Sequence, residues 1–299
     1  MEKVEIPYYG ETELKKGNKD KSFKFKYITE KNNESIQIFG EEFVKNNKNK
    51  CNLIIDDNID SELRTNFFFE LKGEHTVTLI INEEDVNFNG LFDFNINIGL
   101  INSFVPIKDA NYLDYFKKNN RVIDASSLED LDTSEFTSLS HLFTGCANIK
   151  NFYFLRYWDV SKCTDFSGLF FGCSFSKIDF LEKWNVGKAT TFLDMFKYCM
   201  NLNDLKPITN WNVENAEIFI AMFDRCYSLT DVNPIQNWNM RKAKNISWMF
   251  TWCNKITTID SLYKWKLSDT VIKTGIIQGC SSLKNIPEVF KNTDFCPIF

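Results

Sequence analysis

Six cysteines of this 299-residue chain recur in phase: Cys146, Cys173, Cys199, Cys226, Cys253 and Cys280, at gaps of 27, 26, 27, 27 and 27 residues. Two chemistries are open to such a row, disulfide formation and soft-metal ligation. If each interval is one coil of chain, successive Cα atoms lie about 5 Å apart, inside the disulfide range. Against both, stacked side chains point the same way, and no Cys-x-x-Cys pair supplies zinc-type spacing. The N-terminus, Met1 to Pro7, lacks the apolar run of a secretory leader, which points to a reducing compartment. The expectation is a spine of buried free thiols, with disulfide or metal as the alternative.

Tryptophans keep the same beat at Trp158, Trp184, Trp211, Trp238 and Trp265. A row of sugar-stacking platforms is one reading. The strict phase with other apolar anchors favours a core spine. The acid–base inventory is thin, with only His75 and His141 as histidines. His141 sits beside Leu142-Phe143 and reads as a satisfied edge residue. No carboxylate pair recurs at a fixed offset, no nucleophile triad can be assembled, and neither a G-x-G-x-x-G nor a Walker loop is present. No catalytic residue, metal, cofactor or small-molecule substrate is therefore expected. The ending Cys296-Pro297-Ile298-Phe299 fits a C-a-a-X prenylation box, with Phe299 favouring geranylgeranyl. This makes Cys296 the expected lipidation site. A single prenyl chain anchors reversibly. The expected localisation is membrane-associated, after cytoplasmic synthesis; the alternative is a cytoplasmic protein without lipid.

These residues need elements to hold them. From Trp211, apolar positions follow at Val213, Ala216, Phe219, Met222, Phe223, Cys226, Leu229, Val232 and Ile235 before Trp238. Spacing near three, neither two nor a long 3.6-residue stripe, describes a chain coiling around a narrow core. Leu229 to Ile235 is expected to be a short parallel strand, and Ala216 to Phe223 a short helix or 3₁₀ turn. The Asp or Asn after each Trp (Asp159, Asn185, Asn212, Asn239) suits a turn that bonds its own backbone. Phe88 to Phe92 matches Phe166 to Phe170, so a degenerate coil is expected from near Ile80, joined by a shortened coil from Ile107 to Asp130. The domain plan is a mobile 1–19, a cap at 20–76, degenerate repeats at 77–130, six repeats at 131–291, and a tail at 292–299. The cap strands are expected at Ile36 to Gly40, Cys51 to Ile55 and Thr76 to Ile81.

Hydrophobic residues make up 43% and charged residues 25%, which excludes wholesale disorder. A net charge of −5 gives no footprint for nucleic acid. No apolar run is long enough to span a bilayer.

The words Trp184-Asn-Val186, Met195-Phe196 and Cys199 resemble the repeat of the BspA-like leucine-rich-repeat surface proteins, and are similar to the uncharacterised repeat of mycoplasma surface lipoproteins. Residues 38–51 resemble the segment before the repeats in protist members. The likeness is specific over 131–291. It implies an α/β solenoid: a leucine-rich-repeat-like, right-handed coil of short parallel strands and short helices or 3₁₀ turns. About eight coils would stack behind a small N-terminal α+β cap. It also implies a non-enzymatic adhesion or protein-binding role, with a soluble intracellular scaffold as the alternative. Aromatics off the repeat phase are the candidate partner surface: Tyr153, Phe154, Tyr157, Phe180, Trp248, Trp252 and Tyr263, with Arg156, Lys183 and Lys264 beside them. All are expected to point outward.

Overall fold

A computed structural model describes residues 22–60, 62–83, 85–93 and 121–291. The expected mobile 1–19, residues 107–120 of the bridging coil, and the tail with Cys296 lie outside the described residues.

Strand β1 (Ser22–Thr29) buries Phe23, Phe25 and Tyr27 and exposes the lysines between them, the period of a half-buried strand. After it come β2 (Glu34–Gln37), helix α1 (Glu41–Asn47), β3 (Cys51–Ile55), β4 (Asn58–Asp60), β5 (Asn66–Phe69), β6 (Gly73–Ile81) and β7 (Val122–Asp124). Five of these strands form one sheet in the order β4-β3-β6-β1-β7, and β2 pairs with β5 separately. All pairs in both sheets are antiparallel. The boundary expected at 76 falls inside β6. Its alternation of buried Val77 and Leu79 continues past that point, and Ile80 and Ile81 pair with β1 and β3. Ile80 thus belongs to the sheet, not to a coil, and β7 comes from the stretch expected to be repeat.

Residues 88–92 join the sheet to the repeats. The Gly90 and Phe92 amides donate to Ser140 and Leu142 carbonyls at 3.4 and 3.2 Å. On the other side Gly40 N–H donates to Leu91 O, and a Cβ on Gly40 would stand 2.0 Å from Gly90 O. Only glycine allows that approach. Phe92 touches Phe25 of the sheet and Phe143 of the repeats, with centroids 5.1 and 6.1 Å away.

Each following unit pairs with the next through one parallel bridge: Ser138, Asp165, Thr191, Ile218, Asn245 and Ile272 in sequence. Hydrogen bonds cross between neighbouring units in both directions, the Lys244 amide donating to the Glu217 carbonyl at 2.8 Å. Phe219, Ala221, Phe223 and Arg225 donate to Asn245, Ser247, Met249 and Thr251 carbonyls at 2.7–2.9 Å. This reverses the expected placement inside the unit. The parallel pairing lies in the stretch Ala216 to Phe223, and Asn233–Ile235 is a 3₁₀ turn, as are Lys206–Ile208 and Asp260–Lys264. Pro207 and Pro234 give the reason. Proline has no N–H for a ladder and is preset for the first turn of a helix. The Asx turns are present: Asp159, Asn185 and Asn212 accept the amides of Ser161, Gly187 and Glu214 at 2.9–3.2 Å.

Between the ladder and the 3₁₀ turns runs the core. Phe143, Phe170, Phe196, Phe223 and Phe250 stack with centroids 5.5–6.1 Å apart and planes within 16°. This column, one ring per unit, takes five of the chain's 29 phenylalanines.

Candidate functional site

The recurring cysteines and tryptophans are hydrogen-bond donors. Cys173, Cys199, Cys226, Cys253 and Cys280 each aim Sγ at a phenylalanine carbonyl of the preceding unit, at 3.0–3.3 Å. Each indole Nε1 of Trp158, Trp184, Trp211, Trp238 and Trp265 donates to a carbonyl at 2.9–3.2 Å, that of Leu128, Leu155, Leu181, Ile208 and Ile235 in turn. A side chain must be apolar and carry one donor to fill these places, which is why Cys and Trp return rather than Val and Phe. The ladder cysteines are free thiols, buried except for the half-buried Cys280. Burial pushes the thiols of Cys173, Cys199, Cys226 and Cys253 well up, so they are poor nucleophiles.

The aromatics expected to face outward divide into three groups. Tyr153 and Tyr157, on the 3₁₀ turn Tyr153–Tyr157, are 51% and 62% exposed, and Tyr263 is 69% exposed. Arg156, Lys183 and Lys264 are exposed with them. Phe154 and Phe180, by contrast, are buried. Phe154 leans over its own turn onto Phe143 and Trp158, and Phe180 onto Phe152 and Phe170, all at centroid distances of 5.8–6.3 Å. Trp248 and Trp252 are half-buried and lie on the ladder side instead.

Tyr153, Arg156 and Tyr157 open onto a cleft of about 500 Å³ between the N-terminal sheet and the first units. Lys26, Glu74, Asp124, Glu129 and Lys150 supply its charges, and the Arg156 guanidinium sits 5.4 Å from the Tyr157 ring centroid. A second cleft of about 540 Å³ adjoins it, sharing Lys150, Asn151 and Tyr153. It opens where the interval from Cys173 to Cys199 is one residue short. With that residue gone, the Ser176 carbonyl accepts the Asn203 amide at 3.2 Å, so Phe175 stands where Leu202 and Leu229 do in later units and is only half-buried there.

On the ladder side, each unit holds two places at positive φ. The first is taken by His141, Gly168, Asp194, Ala221, Trp248 and Gly275, the second by Gly145, Gly172, Tyr198, Arg225, Trp252 and Gly279. The rings lie on the next unit's glycines, where a Cβ would meet His141, Trp248 and Trp252 atoms at 2.3–2.7 Å. Mid-ladder, Lys197 lies between Asp194 (3.2 Å) and Asp224 (3.8 Å), and Arg225 pairs with Asp224 at 2.6 Å while covering the Tyr198 ring. The Asp224 side chain is only 5% exposed. Burial raises its carboxyl to about 6, although Arg225 and Lys197 pull the other way. Burial also raises Asp194. This network was not visible beforehand, because none of its members recurs from unit to unit.

His75 meets Asp56 at 2.6 Å through Nδ1, with Thr29 Oγ1 3.0 Å from Nε2. The set mimics a hydrolase triad. Thr29 is buried, accepts the Gly73 amide, and directs its own proton toward the Leu71 carbonyl, so no nucleophile is presented. His141 faces Thr144 Oγ1 at 3.1 Å. Among the described residues, no group of three His, Cys, Asp or Glu side chains could hold a metal. Nor is any helix long and apolar enough to cross a membrane.

No curated protein and no solved structure matches the chain. A family model does match, at residues 111–230 and again at 175–290, together more than half the chain. With its cysteines and tryptophans serving as repeat-to-repeat donors, the chain belongs to the family described as Mycoplasma protein of unknown function, DUF285.

Proposed function

We propose that this chain is a non-enzymatic binding or adhesion protein of the BspA-like leucine-rich-repeat type. Its units would coil as a right-handed solenoid and meet a protein partner at the cleft beside Tyr153, Arg156 and Tyr157. One observation carries the reading. The recurring chemical side chains are used up in packing, whereas these non-recurring aromatics stand exposed around a cleft. Exposed tyrosines with a stacked arginine have the composition of an interface hot spot. Lipid attachment at Cys296 is the membrane-bound form of the same proposal, read out as a prenyl mass increment lost in Cys296→Ser.

A photo-crosslinking residue at position 157, compared with one at position 210, tests the surface. Asn210 holds the place equivalent to Tyr157 two units on and is also exposed. A discrete crosslinked partner at 157 and none at 210 is expected. Crosslinks at 210 with none at 157 would move the interface away from the cleft.

A further inference from the structure

The repeats are electrically divided. Residues 122–237 carry fifteen acidic and nine basic side chains, whereas 238–291 carry three acidic and nine basic. A chain of net charge −5 thus ends its repeats with a local excess of six positive charges. Eight of those nine cations are lysines, and all nine are exposed except the half-buried Lys273. Lys244 pairs with Glu217 and Lys291 with Glu288. Arg241, Lys255, Lys266, Lys273 and Lys284 have no acidic partner among the described residues.

The same end exposes apolar surface. Tyr263, Ile272, Ile286 and Val289 are four of the eight exposed large hydrophobics among the described residues. Ile272 is the last bridge of the ladder and is 53% exposed. Every earlier unit is paired to a following one at this place.

We propose that the terminal repeats, 238–291, dock directly on an anionic lipid surface. Three observations favour lipid over an acidic protein. The cations are lysines, point charges suited to diffuse headgroup charge, not the arginine forks that read individual carboxylates. They are spread through the last two units without a cleft-bound cluster. The hydrophobics between them are chiefly aliphatic, which insert at the acyl boundary without a shaped counterpart. The inference goes beyond the partner surface proposed above and does not need Cys296 to be modified.

Full-length Cys296→Ser protein from a bacterial host, which cannot be prenylated, separates the two. It is sedimented with phosphatidylcholine vesicles with and without about one third phosphatidylserine. Binding about tenfold tighter to the anionic vesicles is expected, and it weakens at high salt. Lys255→Glu with Lys266→Glu lowers that binding about tenfold, while Lys188→Glu with Lys206→Glu, the same charge change in the acidic half, alters it less than about twofold. All four lysines are exposed, so both variants keep the parent unfolding midpoint. Equal binding to both vesicles, or equal loss in both variants, overturns the inference. Retention on immobilised polyglutamate without vesicle binding also overturns it and assigns the patch to an acidic polypeptide.

Discussion

On the ladder side, seven residues other than glycine hold positive φ in the units from His141 to Trp252, and the rings of His141, Trp248 and Trp252 lie on the next unit. On the 3₁₀ side, Tyr153 and Tyr157 occupy ordinary turn geometry and project into solvent. Both sides are built from the same unit. The ladder side accepts backbone strain of about 1–2 kcal/mol per such residue and recovers stability through stacking and ion pairs. The 3₁₀ side spends almost none of its exposed side chains on the fold. Variation is therefore coupled to stability on one side and nearly free of it on the other.

Substitutions sharpen that contrast, beginning with the core both sides share. Phe223→Ala breaks the five-ring column at its fourth member and should lower unfolding free energy by about 3–5 kcal/mol, read from urea denaturation. Next comes the ladder network. Asp224 has a folded-state value of about 6, above its unfolded value of 3.8, so its contribution favours the fold when protonated. Stability is then expected to fall as pH rises from about 4 through 6, by up to roughly 3 kcal/mol, and this slope should flatten in Asp224→Asn. Urea midpoints across that window decide it, and an unchanged slope in the variant would place the titration elsewhere. Trp211→Phe keeps a ring but removes the indole donor to the Leu181 carbonyl, which retains the Trp184 amide, for an expected loss of about 1 kcal/mol. The smallest effect belongs to Ala221→Gly. At φ 51° the change relieves strain and should raise stability by about 0.5–1 kcal/mol.

Much of this was legible beforehand. The phase of Cys and Trp marks the units, Phe88 to Phe92 matches Phe166 to Phe170 and bonds the Ser140 and Leu142 carbonyls, and the Asx turns follow from Asp159, Asn185 and Asn212. Pairing within the unit was not legible from apolar spacing, since both stretches return an anchor about every three residues. Pro207 and Pro234 held the missing signal. Phe154 and Phe180 were misplaced because an off-phase aromatic is long enough to fold back over a 3₁₀ turn onto its neighbours. The Asp194–Lys197–Asp224–Arg225 network leaves no periodic trace. Its partners come from different units and meet only in the folded chain.

The central claim is that recurring residues hold the fold while the exposed, non-recurring ones on the 3₁₀ side make the contact. Tyr153→Ala with Tyr157→Ala, set beside Phe223→Ala, tests it most directly, with unfolding midpoint and partner affinity measured for both. The account predicts an unfolding free energy within about 0.5 kcal/mol of the parent for the tyrosine pair, together with loss of partner binding. Unchanged binding by a fully folded tyrosine double variant would contradict it.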